Sequence, residues 1–138
     1  MPEGSAVQVR PVSGRRDLTR FIKLPFRLHR GTSWVPPLVF ERRRFLDRGE
    51  NPFFEHAEAE YFLAWRDGAP VGRITAQIDR RWDEFQGGSD GMFGFFESED
   101  DPTIAEALLA AASEWVASKG RERILGPMDF STNDECGL

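Results

Sequence analysis

Tyr61-Phe62-Leu63-Ala64-Trp65, the turn Arg66-Asp67-Gly68-Ala69-Pro70, and Val71-Gly72-Arg73-Ile74-Thr75-Ala76-Gln77-Ile78 form the segment that sets the architecture of this chain. Asp67-Gly68 tolerates the positive φ angles of a tight turn, and the runs on either side are rich in aromatic and β-branched residues. Together they predict two antiparallel strands joined as a hairpin. Downstream, a Gly- and Asp-rich loop from Gln86 to Gly91 leads into Met92-Phe93-Gly94-Phe95-Phe96, a short apolar run with strand-forming aromatics. Asp101-Pro102 then supplies a cap and a first-turn proline to a helix. Ile104, Leu108, Ala112, Trp115 and Val116 share one face of that helix, and Gly120 closes it. Arg123 to Phe130 reads as a fifth strand, parallel to the fourth because a helical crossover joins them.

Upstream, Val7 to Val12 alternates with a period of two, as a half-buried strand does, with Pro11 suited to its end. Ser13 can cap a helix carrying Leu18, Phe21 and Ile22 on one face, and Pro25, which lacks an amide hydrogen, is expected to stop it near Leu24. Gly31 to Pro37 is a connector, and Pro36-Pro37 opens a second helix that runs to about Arg48 before Gly49 terminates it. Asn51-Pro52-Phe53-Phe54 is a further turn. The fold class is therefore α+β, a mixed sheet of about five strands in the order β-α-α-β-β-β-α-β.

A length of 138 residues suits one domain, and twelve phenylalanines and four tryptophans supply a core. The apolar stretches are short and interrupted by charge, and the first residues lack a basic-then-apolar leader, so neither a membrane span nor a membrane partner is expected and the cytoplasm is the expected location. The lone Cys136 cannot form an internal disulfide. Residues 1–50 carry eleven Lys/Arg against five Asp/Glu, and the remainder seven against eighteen. Arg15, Arg16, Arg42, Arg43 and Arg44 could meet a polyanion, but no helix-turn-helix or aromatic RNA-binding signature accompanies them. Solvated helical faces, or faces lying against the acidic half, are the expectation.

The element order resembles that of the N-terminal two-thirds of the GNAT superfamily of N-acyltransferases. Local text resembles an uncharacterised bacterial branch of it: Trp34-Val35-Pro36-Pro37-Leu38, Asn51-Pro52-Phe53-Phe54 with His56-Ala57-Glu58, Val71-Gly72-Arg73-Ile74, Gly94-Phe95-Phe96-Glu97, and Gly126-Pro127 with Ser131 and Asn133. The resemblance covers nearly the whole chain. It implies a single domain over residues 1–138 that lacks the C-terminal part of the fold, with the fifth-strand edge covered by a partner domain or a second copy. It also implies acetyl transfer from acetyl-CoA to an amine. Acetyl-CoA would lie where the fourth and fifth strands splay, its pantetheine arm against Phe95, Phe96, Glu97 and Ser98, with Asn133 near the acyl group. Its diphosphate would meet the amides at the start of the next helix. There the family's usual Gln/Arg-x-x-Gly-x-Gly/Ala loop is replaced by Glu97-Ser98-Glu99-Asp100-Asp101-Pro102-Thr103-Ile104-Ala105, with no glycine and four carboxylates before the proline. One like-charge pair near 4 Å costs about 4 kcal/mol at a surface-like dielectric, so such a loop opposes a diphosphate. A non-catalytic GNAT-like module that packs against another domain or subunit is the alternative.

Glu97 is the candidate general base, able to take a proton from an attacking amine; the competing reading places it in the acidic cap of the helix. Ser131 and Asn133 either donate to an acyl carbonyl or simply make a turn. His56-Ala57-Glu58 matches half of a zinc deaminase signature, but the required Pro-Cys-x-x-Cys is missing and His29 stands at no convincing ligand spacing, so no metal site is expected. Gly87-Gly88-Ser89-Asp90-Gly91 lacks the Lys-Ser/Thr of a phosphate loop and is read as a connector.

Overall fold

In the computed structural model, residues 6–130 are described. The sheet contains β1 (Gln8–Pro11), β2 (Ala57–Arg66), β3 (Ala69–Asp79), β4 (Asp90–Ser98) and β5 (Arg123–Leu125), in that spatial order. The first four strands are antiparallel neighbours, and β5 runs parallel to β4. Helices α1 (Gly14–Leu28) and α2 (Val39–Leu46), with a 3-10 turn at Pro52–Glu55, follow β1; α3 (Arg80–Gln86) joins β3 to β4; α4 (Pro102–Ser118) makes the crossover to β5. This is the expected α+β order with one helix added.

Helices cover both faces of the sheet, which is why β2 reads as apolar without interruption from Tyr61 to Trp65. Tyr61 and Leu63 pack with Phe21, Ile22, Leu46, Phe53, Phe95 and Phe130 beneath α1 and α2. Phe62 and Ala64 pack on the opposite side, with Ile74 and Ala76, against Ile104, Leu108, Ala112 and Val116 of α4. Burial raises the pKa of the Tyr61 hydroxyl, which donates to Leu46 O at 2.6 Å.

Four boundaries depart from expectation, each for a local reason. Helix α1 continues through Pro25 to Leu28. The proline removes the amide that would have bonded Phe21 O, and the Arg73 guanidinium donates to that carbonyl instead, at 2.8 Å. Helix α2 is only eight residues long, starting after Leu38 and ending at Leu46. Residues 80–86, which the sequence reading left unassigned, form α3: the Asp79 side chain accepts from Arg81 N at 2.9 Å, and Gly87 ends the helix at φ 88°. Strand β5 is three residues long, not eight. Beyond it Pro127 has no amide to pair, and the chain turns so that Met128 N donates to Phe93 O at 2.8 Å.

That turn needs a close approach to β4. A Cβ on Gly94 would fall 1.8 Å from Met128 O, a backbone atom. Gly94→Ala is therefore expected to cost about 1–3 kcal/mol by overpacking, read as a lower denaturant midpoint at unchanged slope; an unchanged midpoint would contradict the close approach.

At the other end of β4, Asp90 is buried and accepts from Trp82 Nε1 at 3.0 Å and Arg123 Nε at 2.7 Å, clamping β4 to β5. The Trp82 hydrogen bond first, and then the Arg123 bond, hold its pKa below the usual 3.8. Because the folded value is depressed, the stabilisation is present above the unfolded pKa and is lost as pH falls through the folded one. Urea titrations should show stability dropping below about pH 4, and Asp90→Asn should flatten that drop; an equally steep drop in the variant would count against the clamp.

Candidate functional site

The site begins with an irregularity in β4. Arg73 pairs with Glu97 and Thr75 with Gly94, so the step between them has two residues on β4 where β3 has one. Phe95 lies in the resulting bulge at φ 50°, a left-handed conformation that costs a non-glycine residue on the order of 1–3 kcal/mol and persists only where surroundings impose it. Here they do. Phe95 N donates to Asp129 Oδ1 at 2.8 Å, and Phe95 O accepts from Arg73 Nε at 2.9 Å. Regular pairing of β4 with β5 stops at Met92–Leu125, and beyond it the two segments stay together through isolated bonds, Met128 N to Phe93 O and Phe95 N to Asp129 Oδ1, instead of a ladder.

Polar side chains of β3 hold this irregular backbone in place. Arg73, Thr75 and Gln77 alternate along the strand and read as a solvent-facing row, yet all three are buried on the α1/α2 side. Arg73 binds the carbonyls of Phe21 and Phe95, while Gln77 accepts from Thr75 and donates to Met128 O at 2.9 Å. Arg73 and Gln77 span to backbone that regular secondary structure has left without a partner, and Thr75 donates to the Gln77 side chain, so each buried polar group has a bond that offsets its desolvation. Among the described residues no buried side-chain polar atom lacks a partner.

A cleft of about 710 Å³ opens over this point, lined on one side by Phe95, Phe96, Glu97 and Ser98, on the other by Pro127 and Asp129, and roofed by residues of α1 and the α1–α2 connection that include Ile22, His29 and Trp34. Glu97, the expected base, sits in it and does not join the cap of α4: His29 Nε2 meets Glu97 Oε1 at 2.8 Å. The imidazole is held in turn by Trp34, stacked at 5.0 Å between ring centres, and Trp34 N binds Thr32 Oγ1. The extension of α1 past Pro25 is what carries His29 to the cleft, so a reading that ends the helix at Leu24 misses it.

The other expected residues divide. Phe96, Glu97 and Ser98 line the cleft, but the amide and carbonyl of Phe95 are already engaged by Asp129 and Arg73. Asn133, Ser131 and Cys136 lie outside the described residues. His56 Nδ1 bonds Asp79 Oδ1 at 2.6 Å, which fixes the start of α3, and the described residues contain no group of three or more metal-ligating side chains.

At the N-terminus of α4 the obstacle to a diphosphate differs from the expected one. Glu99 is paired with Arg27 at 2.9 Å and Asp101 with Arg66 at 3.0 Å, so two of the acidic charges are offset. The amides, however, are taken: Thr103 N donates to the Asp101 side chain, Ile104 N and Ala105 N to Asp101 O, and Pro102 has none. The bond from Thr103, then that from Arg66, lowers the Asp101 pKa and keeps this cap anionic. A diphosphate does not fit here in this conformation.

Solved structures share this architecture. An aminoglycoside acetyltransferase from an uncultured soil metagenomic sample, in complex with sisomicin, superposes with a TM-score of 0.63 over 89% of this chain and 78% of its own, at 12% identity. A tandem GNAT protein from the clavulanic acid biosynthesis pathway gives 0.61 over 83% of this chain and 34% of its own, at 17% identity. An aminoglycoside N-acetyltransferase in complex with CoA gives 0.60 over 96% and 82%, at 20% identity. In sequence, the chain is 44% identical over 134 residues to a bacterial ceramide synthase of Caulobacter vibrioides (strain NA1000 / CB15N), covering 96% of this chain and 35% of that protein. It is 39% identical over 131 residues to the protein YghO of Escherichia coli (strain K12), covering 94% and 33%. The chain thus spans about a third of the length of the curated relatives it matches. No protein-family model matches the sequence.

Proposed function

The chain has the fold of the GNAT acetyltransferases, and from that premise we propose that it forms the amine-handling part of an N-acyltransferase whose acceptor is a long-chain amine. The observation that carries this reading is the Glu97–His29 pair beyond the end of the β4–β5 ladder, in a cleft whose lining joins the apolar Ile22, Pro25, Trp34, Phe95 and Phe96 to the charged Arg42, Arg73 and Asp129. The apolar part of the lining suits a hydrocarbon chain, and the Glu97 carboxylate suits the attached ammonium. A ceramide is an amide of such an amine, so the relative named as a ceramide synthase supports this acceptor class over a sugar or a peptide.

Glu97 would accept the proton that the amine must shed to attack, and His29 would act as a positioning residue by fixing the carboxylate. The amine nitrogen attacks the carbonyl carbon of an acyl thioester; the C–N bond forms as the C–S bond breaks, and the leaving thiolate takes up a proton to depart as the free thiol. The cleft volume of about 710 Å³ also leaves room for acyl groups longer than acetyl. Incubation of the protein with an acyl-CoA and a long-chain base should yield the amide by mass spectrometry; a folded protein that yields none, from acetyl or long-chain donors alike, would overturn the reading.

The closed N-terminus of α4 favours a second one, a non-catalytic GNAT-like module. On that reading calorimetry detects no heat with acyl-CoA and Glu97→Gln changes no activity.

A further inference from the structure

The connection between α1 and α2 has two sides. Its inner side lines the cleft through Trp34 and Pro37, with Trp34 edge-on to Phe26 at 5.5 Å and stacked on His29. Its outer side and the first turn of α2 present Val35, Leu38 and Phe40 to solvent at 82%, 65% and 68% exposure, the largest concentration of exposed apolar side chains along the described chain. Such a cluster marks a surface that meets something else.

Charge identifies the partner. Between Asp17 and Asp47 the chain carries seven Lys/Arg and the single acid Glu41. Lys23, Arg30 and Arg44 are exposed, and the Arg44 guanidinium lies 5.8 Å from the centre of the Phe40 ring. Bulky apolar tips among cations match the interface of an anionic bilayer, where side chains enter the acyl boundary and cations meet lipid phosphates. A nucleic acid would use the cations but leave the apolar tips in water. A second copy across a two-fold axis would set the cations against one another.

We propose that the α1–α2 connection and the start of α2 dock on an anionic phospholipid surface through Val35, Leu38 and Phe40, with the exposed cations Lys23, Arg30 and Arg44 meeting its phosphates. The cleft entrance beside Trp34 and Pro37 would then face the membrane, and a lipid-borne amine could reach Glu97 without crossing water. The absence of a membrane-crossing helix among the described residues is compatible with this, since the contact is interfacial. The choice of a lipid surface rests in part on the reading of the acceptor as a long-chain amine.

The test is co-sedimentation of the protein with vesicles of phosphatidylcholine containing about a quarter phosphatidylglycerol, with no acyl donor present. Binding is expected, weakening at high salt and on pure phosphatidylcholine. The exposed-site variant Val35→Ser/Leu38→Ser/Phe40→Ser should lose it by about tenfold or more while keeping the wild-type circular dichroism. Lys23→Gln/Arg30→Gln/Arg44→Gln should remove most of the salt dependence. No binding to the anionic vesicles, or equal binding by the serine variant, would overturn the proposal. So would a wild-type dimer in sedimentation velocity that the serine variant dissolves, which would assign the patch to a second copy. Vesicle binding can fail while acylation of a short, water-soluble amine survives, and the reverse, so this proposal and the acyltransferase reading fail separately.

Discussion

Glu97→Gln should lower the rate constant for amide formation by about 10²–10⁴-fold and also raise KM for the amine, because the carboxylate both seats the ammonium and takes its proton. Glutamine retains an oxygen at the position that meets His29 Nε2, so the pair's hydrogen bond and the shape of the cleft survive. What disappears is the ability to hold the amine's proton in the transition state. The measurement is steady-state amide formation alongside a thermal melt that verifies folding. An unchanged kcat would remove Glu97 from the chemistry, and a raised KM at unchanged kcat would reassign it to binding the ammonium. His29→Phe, which keeps a ring against Trp34 but not the nitrogen, should cost less than Glu97→Gln, because a positioning residue acts only through the carboxylate it orients.

Phe130→Ala should destabilise the protein by about 3–5 kcal/mol, among the largest costs a single core truncation produces. Phe130 is fully buried and lies parallel to Phe53 at 4.8 Å and to Phe45 at 4.9 Å between ring centres. Phe54 and Phe95 meet it edge-on, each at 5.3 Å. Five rings from α2, the 3-10 turn, β4 and the segment after β5 therefore share one contact, and alanine would leave a cavity that no neighbouring backbone can close. At this chain length the cost corresponds to a melting-point fall on the order of 10–20 °C. The effect should also reach the cleft, since Phe130 follows Asp129, which holds the Phe95 amide. A fall of about 2 °C or less would show that the cluster repacks.

The hairpin at Asp67-Gly68, the crossover helix and the parallel fifth strand were legible because each rests on local chemistry: a turn dipeptide, a capped apolar face, an alternation of strand and helix. Glu97 was legible as a cleft residue through the resemblance to a family, though not its partner. His29 was hidden because a proline ordinarily ends a helix, and nothing local in the sequence says that Arg73, 48 positions away, will take over the abandoned carbonyl. Arg73, Thr75 and Gln77 were hidden for a related reason: period-two polarity normally means a solvated face, and only tertiary packing makes that face a scaffold for irregular backbone. Helix α3 carried a usable signal, Asp79 at its start and Gly87 at its end. The acidic loop was legible as an obstacle to a diphosphate, but the sequence suggested charge repulsion where the structure has amides already bonded to Asp101.

The most direct test of the central claim is titration of a long-chain amine into the protein, followed by the His29 imidazole resonances in nuclear magnetic resonance. Saturable shifts at His29 that Glu97→Gln weakens are the predicted result, because the ammonium should sit on the carboxylate that His29 contacts. Binding that leaves His29 unperturbed, or that Glu97→Gln leaves unchanged, would contradict the assignment of this cleft to the amine.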